Sequence, residues 1–107
     1  MASEPQTPAQ VSITRTEDGG APLVAASGEI DLSNSETFSA AINSAIGAQP
    51  EQVILDLSGV TFMDSSGLNV LVRAAAGDTP ILLRNPSPVM RQVIEVTGLT
   101  SVLPFVP

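Results

Sequence analysis

The spacing of apolar positions changes several times along the chain, and each change predicts an element. Val11 and Ile13 alternate with Ser12 and Thr14, which predicts a strand over 11–16 with one wet face. Glu17-Asp18-Gly19-Gly20 reads as a turn, and 23–26 as a second strand paired with the first in a hairpin. Residues 28–32 then lead off toward a helix. Ser33-Asn34-Ser35-Glu36 fits a capping box, with a hydroxyl at the N-cap and a carboxylate three residues on. Phe38, Ala41, Ile42, Ala45 and Ile46 follow as one helical stripe, and Gly47 is the expected terminator.

The middle of the chain reads as a strand, a polar turn and a helix. Residues 53–57 form an apolar run broken only by Asp56, which predicts a strand covered on both faces. From Leu68 the spacing becomes helical through Leu71, Val72 and Ala75, predicting a helix over about 66–76. Gly77-Asp78-Thr79-Pro80 ends it, and Ile81-Leu82-Leu83 predicts another buried strand of the parallel set. Pro86-Ser87-Pro88 introduces the last helix. Ser87 is its expected cap, and Pro88 fits the first turn, where a missing N–H costs nothing. Val89, Val93 and Val96 are expected to form its apolar stripe, with Met90, Ile94 and Thr97 beside it and Gly98 closing it. Leu99, Val102, Leu103 and Phe105 are expected to return over the core as a short edge strand or extended tail. Pro104 and Pro107 do not suit a central strand.

Composition narrows the chemistry. The 107 residues suffice for one small domain, and a 43% hydrophobic content with only three aromatics, all Phe, calls for an aliphatic core. Residues 1–9 are polar with two prolines and are expected to be a disordered lead, leaving residues 10–107 as the domain. The absence of Cys and His removes disulfides, thiolate metal sites and the usual general bases. With no Lys, there is no phosphate-binding Gly-x-x-x-x-Gly-Lys-[Ser/Thr] loop. The reading is therefore a non-enzyme with no catalytic residue, no cofactor and no metal. A net charge of −7, with Arg15, Arg73, Arg84 and Arg91 scattered, argues against nucleic acid and against an anionic membrane surface. It suits a basic patch on a protein partner. No run approaches the ~18 apolar residues of a membrane span, and the first residues lack the pattern of a signal peptide. The expectation is a cytoplasmic protein without membrane insertion.

The candidate chemistry lies in Asp64-Ser65-Ser66-Gly67, between the central strand and its helix. A helix N-terminus offers unpaired N–H groups and the positive end of the dipole. Asp64 or Ser65 can cap those donors, and Gly67 leaves room for another backbone to approach. A hydroxyl of Ser65 or Ser66 would be exposed at the strand's carboxyl end, where a phosphate meets a helix that accepts negative charge. The same residues also suit a plain capped helix start, and taken alone they leave both readings open.

Three segments in order carry a family resemblance. Residues 53–72 resemble the signature of the STAS family of bacterial anti-sigma factor antagonists. Gly28-Glu29-Ile30-Asp31-Leu32 is similar to the family's Gly-Glu-Leu-Asp-Leu segment, and residues 85–91 through Gly98-Leu99 to its last strand-to-helix passage. The resemblance implies a small α/β domain of STAS type: a mixed sheet of about four or five strands, mostly parallel with an added antiparallel N-terminal strand, packed with about three or four helices. In that family the second serine of the turn accepts phosphate from a partner kinase, which assigns the role to Ser66 ahead of Ser65. Asp31 would lie at the mouth of the same surface, where neighbouring strand ends converge. Partner contacts would come from Asp31, Ser33, Asn34, Asp64, Ser65, Gly67, Leu68 and Asn69. The implied partner is an anti-sigma factor with serine kinase activity, with a phosphatase as an optional reset. The dephosphorylated form would bind it and free a sigma factor, and phosphate on Ser66 would end the contact. The alternative is a constitutive STAS scaffold in a stress-signalling or lipid-transport assembly. One departure stands out: the second helix falls short of the family's by on the order of six residues at 3.6 per turn.

Overall fold

The computed structural model describes residues 11–106; the expected lead over 1–9 lies outside the described residues. The chain begins as a hairpin, β1 (Ser12–Asp18) and β2 (Ala21–Ile30), paired antiparallel from Ser12↔Ser27 to Asp18↔Ala21. Gly19 and Gly20 make the turn with φ of 62° and 88°. Two successive positive φ values match the twist of the flanking strands, and glycine reaches them without steric cost. Helix α1 (Ser35–Gly47), strand β3 (Val53–Met63), helix α2 (Ser65–Ala75), strand β4 (Ile81–Arg84), helix α3 (Pro88–Val96) and strand β5 (Phe105–Val106) complete the order, with a 3-10 turn at Leu99–Ser101. The five-stranded sheet runs β1-β2-β3-β4-β5, antiparallel at the first pair and parallel at the rest.

That order decides where the helices go. Parallel strands added one after another in one direction, each through a right-handed crossover, put every connecting helix on the same face. Phe38, Ile42 and Ala45 of α1, Leu71 and Ala74 of α2, and Met90 and Ile94 of α3 accordingly share one core cluster. Val24, Val53, Leu55, Leu57, Ile81 and Leu83 meet them from the sheet. Strand β3 is therefore not covered by helices on both faces, as its apolar run suggested. Ile54 and Asp56 point the other way, and Ile54 is shielded by its register partners Leu23 and Leu82.

Strand β3 also continues six residues past the predicted end. Its pairing with β2 slips by one residue between Ala25/Ser27 and again between Gly28/Glu29, the extra residue lying in β3 each time. Each bulge re-aims the side chains beyond it. Buried positions therefore fall at Leu57, Val60 and Met63, every third residue, and the alternation is lost. The bulged stretch delivers Met63 to the start of α2.

The helices differ from the expected ones in three places. The capping box at α1 does not form. Asn34 is the N-cap and makes no side-chain cap bond, because its amide is spent on the loop before it. Gly47 stays inside α1, and Gln49 takes the left-handed conformation at φ 58°, its N–H bonded to the Ile46 carbonyl. In α3 the buried pair is Met90 and Ile94, while Val89 and Val96 are exposed: a rotation of about one position, 100°, turns the expected stripe outward. Ser87 does cap α3, Gly98 at φ 77° does close it, and β5 is the edge strand expected of the tail.

Ser87 ties α3 to the bulged strand. Its buried hydroxyl donates to the Val60 carbonyl at 2.6 Å and accepts from the Met90 N–H at 3.3 Å. Removing it leaves a buried carbonyl and a helix donor unpaired. Ser87→Ala is expected to lower unfolding stability by about 1–3 kcal/mol, read as a drop in the urea midpoint at unchanged m-value.

Candidate functional site

Two loops meet at the carboxyl end of the sheet. One joins β2 to α1 and carries Asp31, Ser33 and Asn34; the other is the Asp64 turn between β3 and α2. The Asp64 N–H donates to the Ile30 carbonyl at 3.1 Å, which holds the loops side by side.

Asp64 organises its turn. Its backbone is extended while the residues after it are helical, the usual state of an N-cap. One carboxylate oxygen accepts from the Ser66 N–H at 2.9 Å, the Gly67 N–H at 3.3 Å and the Ser66 hydroxyl at 2.5 Å. These bonds hold its pKa below the usual aspartate value of 3.8. The Ser66 hydroxyl is the largest cause; partial desolvation opposes it, and the N–H groups of Gly67, Ser66 and Leu32 add to it. Of the two caps the sequence allowed, Asp64 is the one used. Ser65 is the first helical residue and is exposed; Ser66 is the second and is half-buried.

Asp31 sits on the adjoining loop with its carboxylate bonded back onto that loop. It accepts from the Ser33 N–H at 3.0 Å and the Ser33 hydroxyl at 2.6 Å. Asn34 pins this loop, accepting from the Asp31 N–H at 3.0 Å and donating to the Glu29 carbonyl at 2.9 Å. The side chains of Asp31 and Ser66 are thus on neighbouring loops, each bonded within its own turn.

Two of the expected contact residues are packed inward. Gly67 is buried, so it belongs to the packing beneath the site and not to its surface. A Cβ there would lie 2.5 Å from Met63 Cγ and 2.9 Å from Ile30 Cγ2, so the close approach is of side chains, not of another backbone. Leu68 is half-buried against the core, while Asn69 is exposed. Val72, which the spacing placed in the buried stripe of α2, is 44% exposed; the buried positions are Gly67, Leu71 and Ala74.

The sequence reading missed the neighbours that shape this surface. Ser66 and Asn69 line a groove of about 230 Å³ together with Leu32, Glu36, Ser39 and Arg73. Leu32 is 79% exposed, a large apolar side chain held out beside the serine. No local signal marks it: Leu57, placed the same way between Asp56 and Ser58, is fully buried. Among the described residues no group of three or more Asp or Glu is arranged to hold a metal ion, and no helix is long and apolar enough to cross a membrane.

Comparisons with known proteins agree with this architecture. A family model described as "Mlab, STAS domain" matches residues 13–105. An anti-sigma F factor antagonist from Lysinibacillus sphaericus is 39% identical over 79 residues, covering 67% of this chain and 66% of that protein, just under two thirds of its length. The crystal structure of an anti-sigma factor antagonist from Mycobacterium paratuberculosis superposes with a TM-score of 0.82 at 28% identity, covering 94% of this chain and 89% of that one. The Bacillus cell fate determinant SpoIIAA in its phosphorylated form gives a TM-score of 0.63 at 27% identity, with coverage of 90% and 92%.

Two outcomes are expected of changes in the turn. Asp64 has a depressed folded-state pKa, so its share of stability is complete above the unfolded value and is lost as pH falls through the folded one. Asp64→Asn is expected to flatten the part of the stability profile below about pH 4, measured by urea unfolding from about pH 7 to about pH 2. Gly67→Ala is expected to cost about 1–3 kcal/mol through overpacking against Met63 and Ile30. A Gly67→Ala protein with an unchanged unfolding midpoint would mean that those side chains move aside freely.

Proposed function

This chain belongs to the STAS domain family, and on that premise we propose that it is an anti-sigma factor antagonist whose contact is switched by phosphate on Ser66. The observation that carries the reading is the Ser66 hydroxyl. It sits half-exposed on the second residue of α2, bonded to Asp64 at 2.5 Å and opening on the groove beside Leu32. The relatives named as antagonists support the class of partner. SpoIIAA, solved in both unphosphorylated and phosphorylated forms, supports the type of switch.

In this reading the dephosphorylated chain binds an anti-sigma factor, so a sigma factor is released. The anti-sigma factor supplies the kinase and the ATP. As the Ser66 Oγ–P bond forms, the bond to ADP breaks and the hydroxyl proton leaves to a base. Asp64 orients that hydroxyl, but its lowered pKa makes it a weak base, so the proton goes to a group of the kinase. Ser66 is a substrate here, and the chain itself is a regulatory binding module without catalysis. Ser65, exposed one residue earlier, is the second-choice acceptor.

The phosphate ends binding through local electrostatics. It adds about −1.5 to −2 charge. Asp64 already occupies the Ser66 and Gly67 N–H groups that would otherwise receive it. The new dianion is therefore directed outward, over the groove and Leu32, where a partner must desolvate it. Ser33, Asn34 and Asn69 complete the contact face, with Asp31 contributing charge at its edge.

Capture from native extract with the unmodified chain, Ser66→Ala and Ser66→Asp as baits tests this. The first two are expected to retain a kinase-type anti-sigma factor and Ser66→Asp to lose it, with a fall in affinity on the order of 100-fold for a desolvated like charge. Far-UV circular dichroism of Ser66→Asp is expected to match the unmodified protein. Equal retention by all three baits would favour the constitutive scaffold and overturn the switch.

A further inference from the structure

The groove at Ser66 does not end there. A second groove of about 350 Å³ runs on between α1 and α2, and the two share Ser39, Val70 and Arg73. Its floor is apolar: Ile42 and Ala74 are buried, and Ile46 and Val70 half-buried. Its far end opens at Gly77. Together they make one furrow from the switch serine along the length of α2.

Arg73 stands where the two parts join, and its situation is unlike that of the other arginines. Arg15 donates to Ser44 at 3.1 Å, Arg91 lies over the Phe105 ring at 4.8 Å, and Arg84 is also engaged. Arg73 is exposed and, among the described residues, has no hydrogen bond, ion pair or ring contact. Glu36 lines the mouth with it, but of the two only Arg73 also lines the second groove, so in a chain of net charge −7 an uncommitted guanidinium over that apolar floor is a local exception to the acidic field.

We propose that the α1–α2 furrow is the docking track for a segment of the anti-sigma factor, and that Arg73 pairs with a carboxylate on that segment. The proposal rests on the antagonist reading and extends it from the serine to a second anchor. Two observations choose the occupant. The furrow is continuous with the face that phosphate on Ser66 would close, so a partner sensing that phosphate already reaches its mouth. The cation at its middle calls for an anion. A guanidinium suits a carboxylate bidentately, and arginine is enriched among the residues that dominate interfaces. The floor has room for small or medium aliphatic side chains beside Ile42 and Val70, so the fitting segment is apolar with one acidic residue. The same placement explains how one modification reaches the whole track. A dianion on Ser66 lines the groove that Arg73 lines, and it opposes the entry of the partner's carboxylate.

The test uses the anti-sigma factor retained by the unmodified chain, purified and titrated against the full chain and its variants by calorimetry. Arg73→Ala is expected to weaken binding on the order of tenfold or more, and Arg73→Glu further, with Arg73→Lys between them and the unmodified chain. Affinity of the unmodified chain is expected to fall between about 50 and 300 mM salt, and the Arg73→Ala protein to lose most of that dependence. An Asp or Glu changed to Lys in the partner, restoring binding to Arg73→Glu, would identify the paired carboxylate and exclude a folding defect. If Ser66→Asp loses binding while Arg73→Glu binds like the unmodified chain, the furrow is not the track and the switch stands. If Arg73→Glu loses binding while Ser66→Asp does not, the track stands and the switch falls. Retention of no anti-sigma factor overturns both.

Discussion

One carboxylate oxygen of Asp64 accepts three hydrogen bonds, and the functional end of the molecule depends on where that oxygen sits. The Asp64 backbone is held by the Ile30 carbonyl at the end of β2. Its side chain then fixes the first turn of α2 and the rotamer of the Ser66 hydroxyl together. Gly67 lies directly beneath, against Met63 and Ile30, so the helix is pressed onto the strand ends at the point where it is capped. The position of the serine is thus set by the sheet, through two bulges in β3 that bring Met63 to this place, and not by loop chance.

Among the described residues, the Asp64 turn is one of three with the same local geometry. Asp31 and Ser33, Asp56 and Ser58, and Asp64 and Ser66 each form an Asp-x-Ser pair. In all three the serine N–H and hydroxyl bond to one aspartate oxygen, at 2.5–3.0 Å. The backbone beyond each pair distinguishes them. After Asp56 the strand continues through a bulge. After Asp31 a separate residue, Asn34, takes the N-cap. Only after Asp64 does the chain enter a helix at once, adding the Gly67 N–H and the helix dipole. The motif is common in this chain, and its context makes one copy different.

This is also why the sequence was readable in some places and not in others. The order of strands and helices, the caps at Asp64 and Ser87 and the closure at Gly98 come from local chemistry, and the structure has them. The second half of β3 does not, because a bulge changes the period of burial from two to three and leaves Ser58-Gly59 looking like a loop. The capping box at α1 failed because the Ser33 hydroxyl is donated back to Asp31 and the helix starts one residue later than the box requires, with Asn34 as its N-cap. Val72, Val89 and Val96 read as core from spacing alone because neighbouring positions on a short helix differ by only 100°. Val72 faces a small apolar patch with Leu99 and Val102 instead. At the site, Ser66 and Asp64 were legible as a pair. The groove was not, since Leu32, Ser39 and Arg73 come together only through the packing of α1 on α2.

In the proposed switch, phosphate on Ser66 ends a contact without disturbing the fold, and the magnitudes say why. In the free protein the groove is open to water. Two unit charges about 4 Å apart interact there by about 1 kcal/mol, rising to about 4 kcal/mol at the lower effective dielectric of a covered protein surface. With a phosphate charge of about −1.5 to −2, the repulsion from Asp64 is about 1.5–2 kcal/mol while the groove is open and about four times that once a partner covers it. Covering also removes the water that solvates the dianion, and Asp64 holds the helix donors that would replace it. The free state bears the smaller part of the burden and the bound state the larger. That asymmetry is what a binding switch requires, and it comes from a capped helix end lying beside an exposed leucine rather than from any movement of the sheet.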